Sequence, residues 1–345
     1  MATKIWWGSL VLTPVALAAH YLFGASGTLA FVLAAAALVP LAWLIGEATE
    51  QVAKHTGPGI GGFVNASFGN APELIIALFA IADGLPNVVR GSIAGSVVSN
   101  LLLVLGAAML AGGDGELDRR STALQLGILV VAVLLFLVPS IPGWHGNPDR
   151  HALYVATIPV AVCLLALYIA TTFVNLRRHH AAHTGPPTLG AWRLRTGLLA
   201  LGAATIATAF VSELLVHSLD AFGHALGLSQ FFVAIVIVAI VGNAAEHGGA
   251  IVVARRGNMR LASEIAISSS AQVAVFVTPA IALLSFLVGP GLPLAFRPVE
   301  LVTMGIAALA VAAASVTGRS KRVRGGALVG VYLLLAVWYG FAGDR

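Results

Sequence analysis

Gly69-Asn70-Ala71-Pro72-Glu73 and Gly242-Asn243-Ala244-Ala245-Glu246 are one five-residue phrase written twice, 173 residues apart. The offset persists downstream: Gly84 falls on Gly257, Ser96 on Ser269, Ser99 on Gln272 and Gly106 on Pro279. Each copy sets a carboxylate inside a long apolar stretch and places a polar side chain 26 residues later in the next one. A charged carboxylate at bilayer depth is expensive, so two at matching positions point to a shared cation site. A polar block duplicated within apolar helices is the sequence trace of a transporter built from two repeats.

The rest of the chain supports a membrane setting. Of 345 residues, 59% are hydrophobic and 10% charged, and the mean hydropathy is +0.94. A soluble core cannot absorb that much apolar sequence, whereas stacked spans of about 20 residues can. Eleven spans are predicted, at roughly 5–23, 28–52, 60–82, 90–111, 122–141, 151–174, 196–220, 228–254, 261–289, 297–317 and 325–342. With the N-terminus inside, the cytoplasmic side collects 15 of the 19 Lys and Arg, among them Lys54, Arg119, Arg120, Arg255, Arg256, Arg319 and Arg322. The other side holds four: Arg90, Arg150, Arg297 and Arg345. This positive-inside bias expects a cytoplasmic N-terminus and a C-terminus on the opposite side of the cell inner membrane. The net charge of +5 therefore reports topology, and no nucleic-acid partner is expected.

The single cysteine, Cys163, excludes an intramolecular disulfide framework and reads as a packed apolar residue. Lys4, an apolar run and Ala16-Leu17-Ala18 resemble a cleavable leader, but the run continues through Phe23, so a retained first helix is expected. Residues 175–195 form the long polar connection, with Arg177, Arg178, His179, His180, His183, Pro186 and Pro187 and no acidic residue. A solvated cytoplasmic linker fits that composition better than a metal site. The loop after the fifth span carries Trp144 and His145, and the six Trp near span ends read as interfacial anchors.

The expected fold is all-α. An extra helix occupies 1–27, one five-helix repeat 28–174, the linker 175–195 and a second five-helix repeat 196–345. An odd number of spans per repeat inverts one against the other.

Each five-residue phrase has the form of a helix restart. Gly69 loosens the chain, Asn70 caps the next turn, Pro72 suits an early helical position and Glu73 sits in the first turn. Discontinuous helices of this kind are where transporters bind ions. In the following spans Ser92, Ser96, Ser99 and Asn100 share a helical face, as do Ser268, Ser269 and Gln272 with Glu264 one turn earlier. Ser99 and Gln272 are expected to line the site, while Asn100 reads equally as an interhelical hydrogen bond. His247 follows Glu246 and reads either as a proton-coupled group or as a packed histidine.

A donor set of carboxylate, amide, hydroxyl and backbone oxygens suits a hard cation such as Ca²⁺. Nothing here supplies the thiolates or paired histidines that favour zinc or copper. Two glutamates neutralise one divalent cation. Once it leaves, burial and mutual repulsion oppose two bare charges, so protons should replace it on a pair that titrates as one unit.

On these residues the chain resembles the Ca²⁺/H⁺ antiporters of the cation/Ca²⁺ exchanger superfamily. The motifs are Gly69 to Ala77, Gly95-Ser-Val-Val-Ser-Asn-Leu-Leu-Leu-Val-Leu-Gly106, Gly242 to His247 and Ser268-Ser-Ser-Ala-Gln272. The resemblance implies Ca²⁺ moved against H⁺ by alternating access, with no cofactor. It implies Glu73 and Glu246 as central ligands and proton acceptors, surrounded by Asn70, Asn243, Ser99 and Gln272, with Ser96 and Ser269 nearby. It also implies that the first helix of each repeat slides, which gives Glu50 and Glu213 a part in access. Cytoplasmic solvation is the other reading of Glu50.

Three departures stand out: Pro72 where Thr or Ala is usual, Ser268 at a usual glycine, and no acidic helix between the halves. A Na⁺/Ca²⁺ exchanger is the nearest alternative, and neutral Gln272 argues against it. A passive cation channel is an alternative of another class, and inverted repeats argue against that. The sequence has no His-Glu-x-x-His, glycine-flanked nucleophilic serine or nucleotide loop, so no enzyme activity is expected.

Overall fold

A computed structural model describes residues 2–144, 150–180 and 192–343. Two short helices open the chain, α1 (Ala2–Ser9) and α2 (Leu12–Tyr21). They are followed by α3 (Gly27–Gly69), α4 (Ala71–Ala82), α5 (Pro86–Val98), a π-helical segment π1 (Ser99–Val104) and α6 (Leu105–Gly112). Strand β1 (Gly115–Glu116), α7 (Arg119–Trp144) and α8 (Arg150–His180) complete the first half. The second half contains α9 (Leu194–Leu226), α10 (Gln230–Phe232), π2 (Val233–Val238), α11 (Ala239–Gly242) and α12 (Ala244–Arg255). It ends with α13 (Met259–Gln272), π3 (Val273–Val277), α14 (Thr278–Val288), α15 (Pro298–Ser315), β2 (Arg319–Ser320) and α16 (Arg322–Ala342).

Among the described residues, eight helices are long and apolar enough to cross a membrane, nine if the bent pair Gln230–Gly242 and Ala244–Arg255 counts as one span. The all-α membrane class holds, but the expected count of eleven is not reached. The first expected span is divided at Leu10 and Val11 into two helices too short to cross. A loop expected near 53–59 is instead the interior of the 43-residue α3. Its polar turns pair along the helix, Gln51 Nε2 with Glu47 Oε1 at 2.8 Å and Lys54 Nζ with Glu50 at 3.0 Å. Such i,i+4 pairs let a polar stretch remain helical. At the centre of the chain α8 runs through His180, within the segment expected as linker. The remaining linker features, His183 and Pro186-Pro187, lie outside the described residues, as do His145 and Arg345.

The chain forms two compact units. One comprises Met1–Phe79, Ala166–Leu226 and Val241–Ala245; the other comprises Ala80–Leu165, Gly227–Ile240 and Glu246–Arg345.

In the first unit α3 and α9 lie antiparallel. Phe31 stacks on Phe222 with centroids 4.2 Å apart, and a methyl on Gly27 would meet Ala221 Cβ at 2.4 Å. At the far end a methyl on Gly197 would meet Val52 at 3.0 Å. Small residues at both ends let the helices approach closely, which is how membrane helices associate without a hydrophobic driving force. Trp6 and Trp7 pack on Trp43, and Trp7 also reaches Trp192. The Trp192 backbone is fastened to α3: its N–H donates to Gln51 Oε1 at 3.1 Å and its C=O accepts from His55 Nε2 at 2.6 Å. Four of the tryptophans read as separate interfacial anchors therefore form one cluster.

The second unit is built around α5, π1 and α6, whose span is 83% buried, against 28% for α8 and for α16. On α8, Val155, Val162 and Ile169 are exposed at seven-residue spacing, a stripe that faces lipid in a bilayer. Cys163 is exposed beside them rather than packed as expected. Helices α6 and α16 cross where a methyl on Gly106 would stand 2.8 Å from Gly325 O.

Residues 289–297 form no helix, yet Leu292, Leu294 and Phe296 are fully buried. Side chains satisfy that buried backbone. Ser285, Thr157 and Ser140 hydroxyls accept from the N–H of Leu292, Leu294 and Phe296 at 2.7, 3.0 and 2.9 Å. Arg90 donates to Pro293 O at 3.1 Å, and Trp144 Nε1 to Phe296 O at 2.8 Å. Next along the chain, buried Glu300 accepts from Arg297 N at 2.6 Å, while the Arg297 guanidinium donates to the last carbonyls of α16, Ala342 and Gly343.

Candidate functional site

The 173-residue offset is also an offset of backbone. Helices α4 and α12 are 12 residues each and begin at equivalent positions, Ala71 and Ala244. Helices α5 and α13 likewise begin at equivalents, Pro86 and Met259. Between them Gly84 and Gly257 adopt φ of +74° and +84°, the left-handed conformation that a residue with Cβ resists. The π segments that follow end at equivalent residues, Val104 and Val277. Such segments are frequent at functional sites, because one widened turn re-aims the side chains after it.

In the first unit, Asn70 and Asn243 stand at the two helix breaks, each 1% exposed. The Asn70 carbonyl accepts the first hydrogen bond of α4, from Leu74 N at 3.2 Å. Glu73 lies in that first turn. Its side chain lies along the other copy: a methyl on Gly242 would be 3.5 Å from Glu73 Cγ and 3.9 Å from Oε1. A methyl at position 242 would therefore rest in ordinary contact with the Glu73 side chain. The first unit thus gathers both asparagines, Glu73 and the glycine that opens the second phrase.

The second unit gathers the remaining polar residues. Glu246 is in the first turn of α12. Its Oε2 accepts from the Ser269 hydroxyl, and Ser269 Oγ accepts from Asn100 Nδ2 at 3.1 Å. Ser96, Ser99 and Asn100 are buried, and Ser99 donates back to Ser96 O at 3.3 Å. Gln272 is the half-buried last residue of α13 before π3. His247 is buried, with no partner for Nε2 among the described residues.

Two expected access residues differ in setting. Glu50 has a 65% exposed side chain paired with Lys54; Glu213 is half-buried within α9. Glu264, on the face of the site serines, accepts from Ser121 at an exposed position. Among the described residues no three His, Cys, Asp or Glu side chains converge. Any cation here must take much of its shell from amide, hydroxyl and backbone oxygens, the donors suited to a hard ion. Sequence reasoning overlooked the π segments, which have no local signature, and the approach of Glu73 to Gly242.

The profile of the sodium/calcium exchanger protein family matches residues 26–177 and 196–341. The chain belongs to this family. It is 36% identical to the Ca²⁺/H⁺ antiporter ChaA of Bacillus subtilis strain 168, over 88% of this chain and 89% of that one. It is 33% identical to the Ca²⁺/H⁺ antiporter of Aphanothece halophytica, over 98% and 96% of the two chains. A crystal structure of the selenium-substituted Ca²⁺/H⁺ antiporter protein YfkE superposes with a TM-score of 0.84 at 31% identity, covering 98% of this chain and 99% of that one. As a family member the chain is a multi-pass integral membrane transporter.

Proposed function

We propose that this exchanger-family protein moves Ca²⁺ in one direction and H⁺ in the other by alternating access. Glu73 and Glu246 serve as the shared cation and proton site. The observation that carries the reading is the repetition of a buried asparagine, a helix restart and a first-turn carboxylate at a constant offset. The relatives named as Ca²⁺/H⁺ antiporters support the choice of ions.

The two carboxylates balance one divalent cation. Asn70, Asn243, Ser99 and Gln272 supply neutral oxygens around it. When Ca²⁺ leaves, repulsion and low dielectric disfavour two bare carboxylates, so protons take its place and exchange is obligatory. Neutral Gln272 adds no third fixed charge of the kind that would hold several Na⁺ ions together. Two inverted five-helix repeats supply the alternating access. The N-terminus lies in the cytoplasm and the C-terminus across the cell inner membrane, as the positive-inside bias directs. The protein is a transporter and not an enzyme.

The test is Ca²⁺ flux into proteoliposomes, driven separately by a pH gradient and by a Na⁺ gradient. Uptake with the pH gradient alone is expected, and uptake only with Na⁺ overturns the assignment. Glu73→Gln and Glu246→Gln should each abolish exchange while the protein still inserts. Full activity in either variant removes the shared site.

A further inference from the structure

The two carboxylates are not supported alike. In the second unit a buried chain of donors runs from Asn100 Nδ2 to Ser269 Oγ, at 3.1 Å, and from the Ser269 hydroxyl to Glu246 Oε2. Asn100 is fully buried and Ser269 is 3% exposed, so water does not compete for these groups. The chain has a direction. An amide N–H can only donate, so its bond occupies the Ser269 oxygen as acceptor and turns the hydroxyl hydrogen toward the carboxylate. A hydroxyl already accepting a bond is polarised and becomes a better donor.

Glu246 is thereby tied through one of its two oxygens, Oε2. The repeat offset does not copy the first donor. Ser269 has the equivalent Ser96, but the equivalent of Asn100 is Val273, which cannot donate. Asn100 is the second residue of π1, whereas its equivalent Val273 is the first residue of π3, one residue shorter.

We propose that Asn100 is a positioning residue: acting through Ser269, it locks the Glu246 carboxylate so that one defined oxygen, Oε1, is presented to the cation, an arrangement absent from the Glu73 half. This rests on Glu246 being a cation ligand. It assigns Asn100 a role in affinity without contact with the ion.

The test combines transport with an independent readout. Asn100→Val copies the other half, Ser269→Ala removes the bridge, and Asn100→Val/Ser269→Ala removes both. In proteoliposomes under a pH gradient, each single variant should raise the half-saturating Ca²⁺ concentration about tenfold, the scale of one hydrogen bond to a charged group. The maximal rate should stay within about threefold, and the double variant should be no worse than Ser269→Ala alone, because coupled members of one chain are not additive. An additive double variant, or a fall in maximal rate at unchanged half-saturation, overturns the proposal.

Infrared difference spectra on Ca²⁺ addition give the second readout, with the Glu246 carboxylate band assigned by its loss in Glu246→Gln. The band should shift in Ser269→Ala and shift part of the way in Asn100→Val. An unmoved band overturns the proposal whatever the transport result. A moved band in a protein that carries no Ca²⁺ under a pH gradient keeps the chain of donors and overturns the antiport reading instead.

Discussion

The stretch from Asn70 to Val104 and the stretch from Asn243 to Val277 keep one backbone frame and differ in what supports it. Both have a buried asparagine at a helix break, a carboxylate in the next turn, a left-handed glycine and a π segment. The support changes within that frame. Gly95 of the first copy is Ser268 in the second, and Asn100 is Val273. Upstream, α3 reaches Asn70 as one unbroken helix, whereas the approach to Asn243 is interrupted after Leu226 and widened at π2. The backbone features around the two carboxylates are thus repeated, while side chains follow neighbours that the two copies do not share.

The sharpest way to break this contrast is to exchange residues between the copies. A Cβ on Gly95 would stand 1.9 Å from Ile235 O and 2.8 Å from Ala239 Cβ, a collision that needs backbone movement. Gly95→Ser, which copies the second half, should cost about 3 kcal/mol or more and yield little monodisperse protein on size exclusion. Ser268→Gly, which copies the first half, should leave folding and exchange intact. Among the described residues its hydroxyl makes only a long contact, 3.4 Å, to Ile265 O of its own helix. Comparable damage from the two changes would mean that the copies pack alike after all.

A smaller effect tests what they share. Gly84 and Gly257 both have open space where a Cβ would stand, so an alanine there meets only backbone strain. Gly84→Ala and Gly257→Ala should each lower stability by about 1–2 kcal/mol, and by equal amounts in thermal unfolding. Unequal losses would show that one turn is held more tightly than the other.

The smallest effect concerns how α5 and α13 start. Asn87 accepts from Arg90 of its own helix at 2.5 Å. Its equivalent Arg260 instead pairs with Asp118, outside α13. The Ser121 N–H, followed by Arg260 and the Arg120 N–H, holds the Asp118 carboxyl below its ordinary range. A depressed carboxyl stabilises the fold above its unfolded value, about 3.9, and that contribution is lost as pH falls through the lower folded value. The thermal midpoint should therefore drop slightly in acid, and Asp118→Asn should flatten that part of the profile. An unchanged profile would mean that the exposed tether contributes nothing, as many surface pairs do.

Features that depend on a few adjacent residues were readable directly. The breaks at Asn70 and Asn243 follow from the glycine before each and the early proline or alanine after it. Features that depend on distant partners were not. Lys54, His55 and the Gly57-Pro58-Gly59 run read as a loop, yet the helix continues with Glu50 and Lys54 paired along it. Arg297 counts among the four cations expected on the outer side, yet it ties the start of α15 to the carbonyls of Ala342 and Gly343 at the end of α16. Its neighbour Glu300 drew no attention, though Pro298 at the first helical position and a glutamate at the third are a capping signature.

The sequence by itself determined the membrane class, the duplication, the paired carboxylates and the positions of the breaks. These rest on hydropathy and local dihedral preference, which neighbouring residues set. Only the tertiary structure decided that Glu73 lies along Gly242, that Ser269 joins Asn100 to Glu246, and that residues 289–297 are stitched into their unit by side chains. A hydrogen bond between residues 169 positions apart leaves no periodicity to read. Its partners meet only after the helices have packed, and packing is governed by shape along whole helix faces.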